Sequence, residues 1–225
     1  MKLDLIKRGY LTIAIVSGLT FIFFSYLTSK EIFSQFDFDT TVKLQNKISR
    51  DWDPAFSFFS LLGSAEMAGA IWLVLVGWAV LKRYWLTVLG LGLLVATQIA
   101  EIFGKLLLYH PGPPFLFFRG VSIIDFPSHF IQTNYSYPSG HATRSAFLIS
   151  FFFILITLKM SGAKKLIFQA FLVIFLLIMA LTRVSLGEHW ITDVIGGALL
   201  GVSGGIIAAI TVPLKKRSQS AHPEQ

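Results

Sequence analysis

The chain has 225 residues, 54% of them hydrophobic and 14% charged, with 22 Phe and a mean hydropathy of +0.69. A soluble domain carries about a quarter charged residues, so a water-soluble domain is excluded and one integral membrane domain is expected. There is no cysteine, which removes disulfides, thiolate metal sites and cysteine nucleophiles, and the net charge of +7 sits in short runs suited to anionic lipid headgroups rather than to nucleic acid.

Crossing a hydrocarbon core of about 30 Å takes roughly 20 apolar residues of helix. Six segments qualify: 10–28, 56–81, 84–108, 142–158, 165–182 and 190–213. The pattern predicts an all-α polytopic protein, six transmembrane helices in a bundle. The first segment follows Lys2, Lys7 and Arg8, lacks a small-residue cleavage site, and reads as a retained helix rather than a signal peptide. The 29–55 stretch mixes both charge signs (Glu31, Asp37, Lys43, Asp53 among them) and is predicted as a surface helix plus loop. Lys82 and Arg83 join helices two and three, and Lys159, Lys164 and Lys165 join four and five. Lys215, Lys216 and Arg217 follow the sixth. All four basic clusters fall on one side, which the positive-inside rule makes cytoplasmic. Both termini are then cytoplasmic in a cell-membrane protein. The domain is expected over 1–217, with 218–225 a disordered cytoplasmic tail.

The 29–55 and 109–140 stretches then lie on the extracytoplasmic side. The second carries Phe115, Phe117, Phe118, Phe126 and Phe130. They suit either a rim for substrate access or ordinary interfacial anchoring. At 1.5 Å rise per residue, Arg183 is about 27 Å from Lys165, His141 about 27 Å from Lys159, and Lys105 about 30 Å from Trp85. His189 opens the last helix. Four separated residues thus reach one plane at the outer interface.

His189 and Asp193 are spaced i, i+4 and share a helix face. A carboxylate there can hold the imidazole in one tautomer and leave the other nitrogen free to attack. The same spacing suits a surface His–Asp contact or two ligands of a metal, though no further cluster with ligand spacing supports a metal. Ser139-Gly140-His141 opens the fourth helix, whose free N–H groups form an anion site; Ser139 is equally an N-cap. Arg183 and Lys105 suit phosphoryl oxygens or snorkelling to headgroups. Glu101 stands i−4 from Lys105 and is predicted to orient it. Arg144, i+3 from His141, can face the same site. Glu66 lies within an apolar segment with no assigned part.

Three blocks together resemble the phosphatidic acid phosphatase type 2 superfamily, whose pattern is K-x6-R-P, P-S-G-H and S-R-x5-H-x3-D. Here they read KLLLYHPGP (105–113), PSGH (138–141) and TRVSLGEHWITD (182–193). Thr182 takes the serine position, and Gly112 stands where the first block has Arg. His110, Arg119 and Arg144 are candidates for the missing cation, with Arg144 favoured by its helix face.

The resemblance implies a metal-independent lipid phosphatase. His189 would be the nucleophile, Asp193 its orienter and His141 the proton donor. Lys105, Arg183, Ser139, Gly140 and Arg144 would bind the phosphoryl group. No cofactor and no obligate protein partner are expected. The partner is a lipid phosphate: phosphatidic acid, phosphatidylglycerol phosphate or a polyprenyl diphosphate. The loss at Gly112 leaves a second reading, a weakly active or inactive lipid-phosphate binder of the same fold.

Overall fold

A computed structural model describes residues 2–121, 123–124, 126–127 and 133–213. Phe130, the 215–217 basic cluster and the 218–225 tail lie outside the described residues. The helices are α1 (Lys2–Ser29), α2 (Ser34–Lys47), α3 (Asp53–Leu61), α4 (Ala65–Leu81), α5 (Trp85–Leu107), α6 (Gly140–Lys159), α7 (Gly162–Ser185) and α8 (Ile191–Ile210). Among the described residues, six segments are long and apolar enough to span a membrane: Leu5–Ser29, Arg50–Leu81, Trp85–Leu107, Gly140–Lys159, Gly162–Ser185 and Ile191–Ile210. The protein is an all-helical membrane protein, as its hydropathy predicts. The surface helix expected in 29–55 is α2.

The second predicted span differs from expectation. It begins earlier, at Arg50, and breaks into α3 and α4 between Leu62 and Ser64. Ser64 restarts the helix by accepting from Met67 N at 3.2 Å, a serine N-cap. The break frees the Gly63 carbonyl, which accepts from Arg144 Nε at 3.2 Å. Irregular backbone at membrane depth is tolerated where protein groups satisfy it. Glu66 thereby falls in the first turn of α4, where the helix dipole favours a carboxylate.

The centre of the bundle is the α6–α8 contact. Gly197, Gly201 and Gly205 recur every four residues along α8. A Cβ on Gly201 would stand 2.2 Å from the Thr143 carbonyl oxygen, and one on Gly205 2.2 Å from that of Phe147. Two helix backbones therefore touch along this stripe, a small-residue membrane interface. The contact fixes the N-termini of α6 and α8 side by side, where Ser139 N donates to the Asp193 carbonyl at 3.0 Å. α1 lies against α8 through Ser17 Oγ on the Leu199 carbonyl (2.8 Å) and Ser203 Oγ on that of Ala14 (2.9 Å). The alternating helix directions put Lys82, Arg83, Lys159 and Lys164 at one end of the bundle and Lys105, His141, Arg183 and His189 at the other.

Candidate active site

At that second end a cavity of about 870 Å³ opens. Lys105, His141, Arg144, Arg183 and His189 all line it. Positions 84 residues apart in sequence (105 and 189) meet there because α5 and α7 end, and α6 and α8 begin, at one level.

His189 Nδ1 lies 3.1 Å from Asp193 Oδ2, the contact the i, i+4 spacing predicts. The same oxygen accepts from Trp190 N at 3.0 Å and Ser136 Oγ at 2.8 Å. Asp193 is fully buried and also caps α8. With Nδ1 engaged, Nε2 is left for the cavity. Burial pushes the His189 ring below its ordinary value; Asp193 pulls it back, and the charges of Arg183 and Lys105 push it down again. The net direction keeps the ring neutral at neutral pH.

Among the described residues, three cations face the cavity, each with a resident carboxylate. Lys105 Nζ donates to Glu101 Oε1 at 2.8 Å, as the sequence predicts. Arg144 Nη1 donates to Gln98 Oε1 at 2.8 Å and to Glu101 Oε2 at 3.4 Å. Arg183, 3% exposed, donates to the Ser60 hydroxyl and the Glu188 carboxylate. Gly140 lines the cavity, and a Cβ there would stand 2.2 Å from Glu101 Oε1. A side chain there would displace the Glu101 carboxylate and the Arg144 guanidinium.

Other expectations separate. Ser139 was a candidate phosphate ligand, but it is fully buried and lines no part of the cavity. Its hydroxyl accepts from Ala142 N at 3.5 Å, so it caps α6. Of the candidates to replace the missing guanidinium, Arg144 alone lines the cavity. Arg119 is turned to Asp53 (3.0 Å from Nε to Oδ2) and to the Gln45 and Ile48 carbonyls, both at 3.2 Å. His110 stands behind Asp193 rather than in the cavity. The aromatic loop divides too: Phe118 lines the cavity, whereas Phe117 packs edge-on against Phe38 and Trp190.

Sequence reasoning missed Ser60, Gln98, Ser136 and Glu188. Gln98 stands i−3 from Glu101 and Glu188 adjoins His189, so both carried a local signal. Ser60 and Ser136 carried none. Ser136 arrives because its amide donates to the His110 carbonyl at 3.1 Å and the preceding Tyr135 amide to that of Lys105 at 3.0 Å.

Among the described residues, two imidazoles and three cations line one cavity in a membrane helix bundle, which defines an integral membrane protein that can hold an anionic group against a neutral, oriented histidine. The chain belongs to the PAP2 superfamily, which it matches over residues 85–217. Its fold is similar to the crystal structure of the first transmembrane PAP2-type phosphatidylglycerolphosphate phosphatase from Bacillus subtilis. That similarity has a TM-score of 0.67 at 17% sequence identity and covers 87% of this chain and 93% of the other. It therefore extends upstream of the 85–217 segment. Membership of this superfamily supports phosphatase activity.

Proposed function

We propose that this protein is an integral membrane lipid phosphatase acting through a phosphohistidine. The observation that carries the reading is the His189–Asp193 contact at 3.1 Å on the wall of a cavity shared with His141, Lys105, Arg144 and Arg183. A binding protein has no need of an imidazole held in one tautomer.

His189 Nε2 attacks phosphorus, and the bond from phosphorus to the lipid oxygen breaks. Protonated His141 gives its proton to that leaving oxygen. Water then attacks the phosphohistidine, His141 takes the water's proton, and the P–N bond breaks to release phosphate. Lys105, Arg144, Arg183 and the Gly140 turn hold the equatorial oxygens as charge redistributes. Glu101 and Glu188 hold these side chains toward the cavity.

The substrate is amphiphilic: phosphatidic acid, phosphatidylglycerol phosphate or a polyprenyl diphosphate. The apolar rim of Ile102, Phe118 and Ile124 suits acyl or prenyl chains beside the phosphate cradle. The basic runs at the far end of the bundle support cytoplasmic termini and a cavity at the extracytoplasmic face of the cell membrane.

The test is phosphate release from these three lipids by purified protein in detergent containing EDTA. His189→Ala serves as the control. Release by the unmodified protein, abolished in the variant, is expected. Equal release by both, or dependence on added metal, overturns the mechanism.

A further inference from the structure

His110 is 2% exposed and lies on the side of Asp193 away from the cavity. Its Nδ1 is 2.9 Å from Glu31 Oε1, in the turn between α1 and α2. Its Nε2 is 3.2 Å from Thr192 Oγ1, 3.5 Å from Asp193 Oδ1 and 3.7 Å from Asp37 Oδ2. The Tyr137 ring meets the imidazole edge-on at 6.2 Å. Glu31 and Asp37 both precede the superfamily segment, which begins at residue 85.

Hydrogen-bond accounting sets the direction of these contacts. Thr192 N donates to Asp37 Oδ1 at 3.0 Å, and Thr192 Oγ1 to Asp37 Oδ2 at 2.7 Å. A hydroxyl has one hydrogen. With that hydrogen on Asp37, Thr192 Oγ1 accepts from His110 Nε2. Glu31 accepts from Nδ1. With Glu31 and Asp37 as the acceptors, the ring donates from both nitrogens, and the charge this gives it faces Asp193 as well. Burial holds the Asp37 carboxyl above its ordinary value, and the Thr192 hydrogen bonds and the His110 charge offset this only in part.

The two oxygens of Asp193 are treated differently. Oδ2 takes three donors. Oδ1 is buried and accepts no hydrogen bond among the described residues. A buried carboxylate oxygen left so is costly unless a positive charge stands by. His110 supplies that charge.

We propose that His110 is a positioning residue that braces Asp193 from the side opposite His189 and ties the His189–Asp193 pair to the α1–α2 turn. Its counter-charge also limits the pull of Asp193 on the His189 ring. Glu31 and Asp37, outside the three sequence blocks, thus support the nucleophile through His110.

The kinetic arm rests on the lipid phosphatase reading; the spectroscopic arm does not. Full-length protein in detergent is compared with His110→Gln and Glu31→Gln. Hydrolysis of phosphatidic acid should fall about tenfold to hundredfold in kcat for His110→Gln, and by a smaller factor for Glu31→Gln. KM and inhibition by inorganic phosphate should stay within about twofold, because His110 does not reach the cavity. With ¹⁵N-labelled histidine, NMR at pH 7 should show one ring with both nitrogens protonated, altered in Glu31→Gln and absent from His110→Gln. An unchanged kcat, a loss confined to KM, or a His110 ring with one bare nitrogen overturns the proposal. An unmodified protein that releases no phosphate overturns the phosphatase reading instead, and the NMR arm still decides on His110. If His110→Gln fails to fold, Glu31→Gln carries both arms.

Discussion

Asp193→Asn isolates the charge of the buried carboxylate while keeping its shape. In the native site Oδ2 accepts from His189 Nδ1 at 3.1 Å, Trp190 N at 3.0 Å and Ser136 Oγ at 2.8 Å. An amide offers one acceptor oxygen. With that oxygen in the Oδ2 position, its NH2 faces His110 Nε2, donor against donor. Flipped, the NH2 faces His189 Nδ1 and the Trp190 N–H. Either way the hydrogen bond holding His189 loses its charge or its geometry. A hydrogen bond to a charged group contributes about 1.5–3 kcal/mol. Spent in the transition state, that is roughly a 10- to 150-fold loss in kcat. The backbone link between α6 and α8, Ser139 N to the Asp193 carbonyl, survives the substitution, so the fold should persist. The assay is the initial rate of phosphate release from phosphatidic acid in detergent, with a thermal melt on the same sample. A kcat within about twofold of wild type, with an unchanged melt, would refute the idea that Asp193 orients the nucleophile.

Three further outcomes are expected. Gly201→Ala forces a Cβ to within 2.2 Å of the Thr143 carbonyl oxygen and should cost about 1–3 kcal/mol; Gly77→Ala, with nothing within 4 Å, should be neutral, and thermal melts that do not differ would count against the α6–α8 contact. Arg144→Gln should raise KM about tenfold, whereas Arg119→Gln, whose guanidinium faces Asp53, should lower the melting temperature and leave KM alone; the reverse pattern in steady-state kinetics would reassign the two arginines. The acid limb of kcat/KM should fall below about pH 6.5, the ordinary histidine value: burial lowers the His189 value, so the neutral ring persists into mild acid and is lost only as pH falls through that lowered value. An acid limb above pH 7 in the pH–rate profile would contradict this.

Much of the fold was legible because its signals are local. Twenty-residue apolar runs declare spans, and the basic runs between them declare which ends lie together. The i, i+4 pairs His189–Asp193 and Glu101–Lys105 follow from helix periodicity alone, and both contacts form. Arg144 came from the same reasoning applied to His141. For Ser139 an N-cap and an anion ligand use the same hydroxyl, and the sequence does not say which way it turns; the structure turns it to the Ala142 amide.

By itself, then, the sequence determined six spans, their alternation, and the helix ends that carry the polar chemistry, since each depends on residues within a turn or two of one another. Tertiary packing alone decided that the second span breaks at Gly63 and gives its carbonyl to Arg144. It alone brought Ser60 to Arg183, Ser136 to Asp193, and Glu31 and Asp37 around His110. Those contacts join residues dozens of positions apart, and no local period encodes them. They exist because glycine-stripe contact between α6 and α8 fixes where every neighbouring helix can dock.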